Sequence, residues 1–100
     1  MEEKFEILKQ GMWLCSDSAE PDALEDFAEE QYETLKDDIA AVAALVTVLN
    51  HKCWYWFRNG DEELSHLYSD LYYKYNEKVW NWLEANGTEE EKSWYFHTMD

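Results

Sequence analysis

Residues 39–49 read Ile39-Ala40-Ala41-Val42-Ala43-Ala44-Leu45-Val46-Thr47-Val48-Leu49, an apolar run broken only by the hydroxyl of Thr47. A helix of this composition is apolar almost all round, so other elements must cover it on every side. Working outward, apolar residues recur at Ala28, Tyr32, Leu35, Ile39, Val42, Val46, Leu49, Cys53 and Trp56, in alternating steps of four and three. Such steps return to one face of an α-helix and exclude a strand, whose faces alternate every second residue. The unbroken register predicts one helix from Asp22 to Phe57. Asp37 and Asp38 offer the alternative of a kink and a fresh start, because aspartate prefers caps to helix interiors. Continuity is slightly favoured.

The flanking sequence extends the same logic. Glycine and proline occur only at Gly11, Pro21, Gly60 and Gly87, so few positions interrupt helix. Phe5, Leu8, Met12 and Cys15 stand three or four apart and predict a first helix over Glu3 to Cys15, weakened at Gly11. Ser16 to Pro21 carries cap chemistry and reads as a loop. Asn59-Gly60-Asp61 stops one helix and caps the next, on which Leu64, Leu67, Leu71, Tyr75, Val79 and Trp82 or Leu83 form the apolar stripe until Asn86-Gly87. Thr88-Glu89-Glu90-Glu91 is a capping box that opens a short terminal helix. The expected fold is all-α: a compact bundle of four to five helices around a long central apolar helix, with residues 1–100 as one domain.

The chain has 100 residues, 23 acidic and 8 basic, for a formal net charge of −15. Its 46% hydrophobic and 17% aromatic content separates it from disordered acidic tails, which lack the apolar surface to fold. Such charge repels phosphate backbones, so direct nucleic-acid binding is not expected and partners should be basic. No stretch has the apolar length of a membrane span, and the first residues carry acids where a signal peptide has a basic region and an apolar run. A cytoplasmic protein is expected, with no membrane association. Cys15 and Cys53 both fall on apolar stripes and read as reduced, buried thiols.

Charge is unevenly placed. Residues 17–38 hold ten acids and one base, Lys36, whereas residues 39–60 hold no acid and two bases, Lys52 and Arg58. Asp22, Glu25, Asp26, Glu29, Glu30, Glu33 and Asp37 are expected to share one exposed face turned away from Ala28, Tyr32 and Leu35. Seven carboxylates over that length amount to about one per 3 Å of helix axis, near the ~3.4 Å per charge of a DNA strand. Like charges four apart destabilise a helix, so this many without lysine partners suggests an interaction surface imitating a phosphate backbone. An ordinary solvated face is the competing reading.

Six tryptophans, seven tyrosines and four phenylalanines exceed what the core stripes can absorb. Trp54 and Tyr55 lie off the long stripe, Tyr72 and Tyr73 flank Leu71, and Trp80 points away from the neighbours of Val79. Trp54, Trp80 and Trp94 are the expected partner anchors, since tryptophan brings large contact area with few rotors.

Catalytic constellations are incomplete. Glu29-Glu30-Gln31-Tyr32-Glu33 resembles the Glu-Glu-x-x-Glu half of the magnesium site in MazG-type helical nucleotide pyrophosphohydrolases, but the Glu-x-x-Asp half occurs nowhere in the chain. Glu63-x-x-His66 has the spacing of a di-iron carboxylate ligand pair, and neither His51 nor His97 supplies a second. Neither cysteine has a cationic setting that would activate it, and no His or Cys pair has zinc-finger spacing. The expected function is therefore non-catalytic and cofactor-free: an acidic inhibitor that occludes the basic, nucleic-acid-binding surface of a partner, with Glu25, Glu29, Glu33 and Asp37 foremost among the acids. The alternatives are a structural or adaptor module that oligomerises through its aromatic faces, the long heptad helix favouring a homodimer, and a magnesium-dependent nucleotide hydrolase.

Overall fold

A computed structural model describes residues 2–17 and 24–99, and of residues 2 and 15–17 it describes the backbone alone. Five helices follow in order: α1 (Glu2–Asp17), α2 (Leu24–Leu35), α3 (Ile39–Arg58), α4 (Glu62–Asn86) and α5 (Glu89–Met99). No strand occurs among the described residues. The all-α expectation holds, and α3 is the central element: every residue from Ile39 to Leu49 is buried. Its alanines have a structural consequence, because Ala41, Ala43 and Ala44 are wholly covered and let neighbouring helices approach closely.

The single helix over 22–57 is corrected to two. α2 ends at Leu35, the chain turns through Lys36 and Asp37, and Asp38 adopts extended backbone (φ −121°, ψ 101°). The Asp38 carboxylate accepts from the Ala41 amide at 3.4 Å and its carbonyl from Val42 at 3.0 Å, while Lys4 of α1 pairs with the same side chain. The cap preference of aspartate outweighs the heptad register. The register survives the break because both helices still direct the stripe inward: Ala28, Ile39, Val42, Val46 and Leu49 are buried.

Punctuation elsewhere follows the sequence. At the end of α3, Gly60 takes φ +82°, with its amide on the Phe57 carbonyl at 3.2 Å and the Asp61 amide on that of Trp56 at 3.0 Å, the double closure of a Schellman motif. Asp61 then caps α4 through the Leu64 amide at 3.0 Å. Thr88 and Glu91 exchange their capping bonds at 3.1 and 2.9 Å. Gly87 stops α4 for a different reason from the expected one. Its φ is −80°, open to any residue, but a Cβ there would lie 2.7 Å from the Leu83 carbonyl oxygen.

Side-chain contacts set the helix directions. Lys4 meets Asp38 at the start of α3 and Trp13 meets Tyr55 near its end, so α1 runs parallel to α3. Glu25 pairs with Lys74, and Tyr32 and Lys36 share a cleft with Val79 and Trp82, so α2 runs parallel to α4. Tyr95 bonds Asn76 at 2.7 Å and stacks edgewise on Trp80, so α5 folds back along α4. α4, at 25 residues, spans the 39 Å long dimension.

Three large buried side chains carry polar groups whose partners only the fold reveals. Lys52 is 1% exposed, with its ammonium 3.9 Å from the Trp13 ring centroid, a close cation–π contact between α3 and α1. Tyr75 and Tyr95 are fully buried yet keep partners for their hydroxyls, in Glu29 and Asn76. Cys53 is a free, half-buried thiol 3.6 Å from the Ser65 hydroxyl. The Cys15 side chain lies outside the description.

Candidate functional site

The acidic face begins on α2. Leu24 and Ala28 are buried and Tyr32 and Leu35 half-buried, which leaves Asp26, Glu30 and Glu33 turned outward and exposed. The two acids on the α4 flank behave differently. The Lys74 ammonium lies 3.4 Å from Glu25 and 3.8 Å from Glu29, and the buried Tyr75 hydroxyl donates to Glu29 at 2.7 Å. That hydrogen bond, reinforced by Lys78 and Lys74, holds the Glu29 carboxyl below its ordinary range. In return, burial and the adjoining carboxylate push the Tyr75 phenol well up. Lys78 completes the seam, its ammonium 4.9 Å from the Tyr32 ring centroid and 5.3 Å from that of Tyr75.

The seven-carboxylate rod is thus corrected. Glu25 and Glu29 are tied to α4, Glu33 pairs with Lys36 at 3.1 Å, and Asp37 lies in the turn after α2. Asp22 falls outside the described residues. Asp26 and Glu30 remain exposed with no ion pair among the described residues. A heptad-spaced sequence could not reveal that lysines forty-odd positions later reach back across a helix seam.

The structure adds a second acidic row. Glu63, Asp70, Glu77 and Glu84 recur every seventh residue along α4, all exposed and without an ion pair among the described residues. At 100° per residue they lie opposite the buried stripe of Tyr68, Leu71, Tyr75 and Val79, beside Lys74. Their spacing was legible in the sequence, but the acids are diluted among aromatics and escape a search for dense charge. With α2 parallel to α4, the exposed acids of both helices flank the Lys74–Lys78 seam.

The tryptophans separate. Trp54 is 54% exposed and meets Phe57 edgewise at 5.8 Å, near the end of α3. Trp80 and Trp94 are half-buried against α5 and α1: the first packs on Tyr95 at 5.3 Å, the second on Phe5 at 5.6 Å. Their rings are largely spent on the fold, which corrects their reading as free anchors. Trp54 in turn is distant from the α2 acids, because α2 meets α4 around residues 74–82, whereas this end of α3 lies beside Ser65 at the start of α4.

Among the described residues no group of three His, Cys, Asp or Glu is placed to hold a metal ion. Glu63 and His66 are both exposed, and α3 brings no acid toward Glu30. Among the described residues no helix is long and apolar enough to cross a membrane. Comparison with protein-family models, with curated proteins and with solved structures finds no match.

Proposed function

We propose that the chain is a non-catalytic acidic binding protein whose α2–α4 face occupies the basic, nucleic-acid-binding surface of a partner protein. The observation that supports it is the charge imbalance of that face. Lys74 is shared by Glu25 and Glu29 and Lys78 is drawn over two tyrosine rings, while Asp26, Glu30, Glu63, Asp70, Glu77 and Glu84 stay exposed and unpaired among the described residues. Carboxylates seven residues apart are about 10 Å apart along the axis, sparser than DNA phosphates. The reading therefore rests on the summed field of the face, which steers a basic partner and meets its Lys and Arg, rather than on phosphate-by-phosphate imitation.

A DNA-mimic-like counter-defence protein of a phage or mobile element would use such a surface, as would an immunity protein against a basic nuclease toxin; either works in the cytoplasm. The oligomeric adaptor would pair through its aromatic faces, and the heptad stripe that also favoured it is largely taken up in the fold's own core. The test is capture from host lysate beside a variant carrying Asp26→Asn, Glu30→Gln, Asp70→Asn and Glu77→Gln. Wild type is expected to retain a basic nucleic-acid-binding protein that salt releases, that DNA displaces, and that the variant fails to hold. Equal retention by both proteins, or a captured partner still able to bind DNA, overturns the proposal.

A further inference from the structure

Lys74 stands where the two acidic rows meet, and it takes the less local of two options. Asp70 lies four residues before it and Glu77 three after, both neighbours on the same helix surface, exposed and without an ion pair among the described residues. The side chain instead crosses the seam to α2, its ammonium 3.4 Å from Glu25 and 3.8 Å from Glu29. All three groups stay open to solvent, at 40%, 69% and 45% exposure. The lysine therefore covers two carboxylates, one helical turn apart, at the surface of the proposed binding face.

The contacts in this cluster differ in grip. Tyr75 is fully buried and donates to Glu29 Oε2 at 2.7 Å, a firm charge-assisted bond that fixes this carboxylate from below. Lys74 comes only to 3.8 Å from the same oxygen, beyond hydrogen-bond distance, and to 3.4 Å from Glu25, against about 2.8 Å for a close charged pair. Exposed pairs of this length are weak because water screens them. A displaced Lys74 also keeps a charge partner within reach, since Asp70 stands in the favourable i, i+4 position on its own helix. Its departure leaves Glu29 still held by Tyr75, beside Glu25 at about 6 Å. One planar guanidinium, with its fork of N–H donors, can bridge such a pair.

Resting on the function proposed above, we infer that Lys74 is an internal competitor of the partner: it covers Glu25 and Glu29 in the free protein and yields them to an arginine of the bound partner. The ammonium already seated between them shows that the pair accepts a nitrogen cation. Tyr75 holds the site in shape through the exchange, so the lysine alone has to move. The free protein thus keeps two of its carboxylates masked, and contact with a basic surface uncovers them.

Isothermal titration calorimetry with a hexa-arginine peptide, at about 0.15 M sodium chloride, tests this on proteins whose helicity is checked by circular dichroism. Lys74→Gln is compared with Lys92→Gln, which removes the same charge from a pair of the same 3.4 Å length, formed with Glu89 on α5, and so measures what net charge alone does. Lys74→Gln is expected to bind the peptide about two- to five-fold more tightly than wild type, the change typical of an exposed pair, and Lys92→Gln to stay within about 1.5-fold. In a Glu25→Gln/Glu29→Gln background, Lys74→Gln is expected to give no such gain. A Lys74→Gln variant no tighter than Lys92→Gln, a gain that persists without the two glutamates, or no peptide binding by any of these proteins overturns the inference. The proposed function fails separately, when wild type captures no basic nucleic-acid-binding protein from lysate, an outcome on which the peptide titration does not depend.

Discussion

Replacing Asp38 by alanine tests the break that divides the acidic helix from the apolar one. Its carboxylate satisfies the Ala41 amide at the start of α3 and also pairs with Lys4. Loss of an N-cap side chain costs about 1 kcal/mol. The Lys4 pair contributes at most a few tenths of a kcal/mol, because its side chains are 58% and 34% exposed and water screens them. Asp38→Ala is therefore expected to destabilise the fold by about 1–1.5 kcal/mol, a melting temperature lower by roughly 4–12 °C for a domain of this size. Asp38→Asn keeps the cap oxygen and loses the pair, so it should cost about 0.5 kcal/mol or less. Urea unfolding followed at 222 nm, at about 0.05 and 0.5 M sodium chloride, separates the two parts: the pair's share disappears in salt and the cap's share persists. An alanine variant within about 0.3 kcal/mol of wild type, or an asparagine variant as costly as alanine, would refute the account of why the long heptad breaks at this residue.

Other perturbations follow from the same geometry. Gly11→Ala, with nothing within 4 Å of the added Cβ, should stabilise α1 by about 0.5–1 kcal/mol, whereas Gly87→Ala, driven onto the Leu83 carbonyl, should destabilise; thermal melts should therefore shift in opposite directions. Leu45→Ala empties a fully buried position at the centre of α3 and should cost about 2–5 kcal/mol in denaturant titrations. Tyr75→Phe removes the hydroxyl that holds the Glu29 carboxyl low. A carboxyl whose folded pKa is depressed stabilises above its unfolded value of 4.5 and loses that contribution as pH falls. The gap in stability between wild type and Tyr75→Phe should thus be widest near pH 7 and close as pH drops through the carboxylate range; a gap independent of pH would exclude the bond.

Composition and period were enough to determine the class of fold and its centre. A run such as Ile39 to Leu49 has no polar side to turn outward, so any fold of this chain must surround it. Local cap chemistry at Asn59-Gly60-Asp61 and at Thr88 to Glu91 acts through neighbours three or four residues away, and sequence alone placed those boundaries. The sequence also held the rule that breaks the long helix, in Asp37 and Asp38. Two local preferences competed there, and the cap chemistry of Asp38 outweighed the heptad register. The surface was decided by tertiary structure. Whether Glu29 is a free charge depends on Tyr75 and Lys74, 46 and 45 positions later, and whether Trp80 is an anchor depends on where α5 folds back. A side chain's own helix determines the direction in which it points, but its exposure and partners belong to whatever the chain brings alongside. For that reason the acidic character was legible from the residues, while the pairing of α2 with α4 into one acidic face came only with the arrangement of the helices.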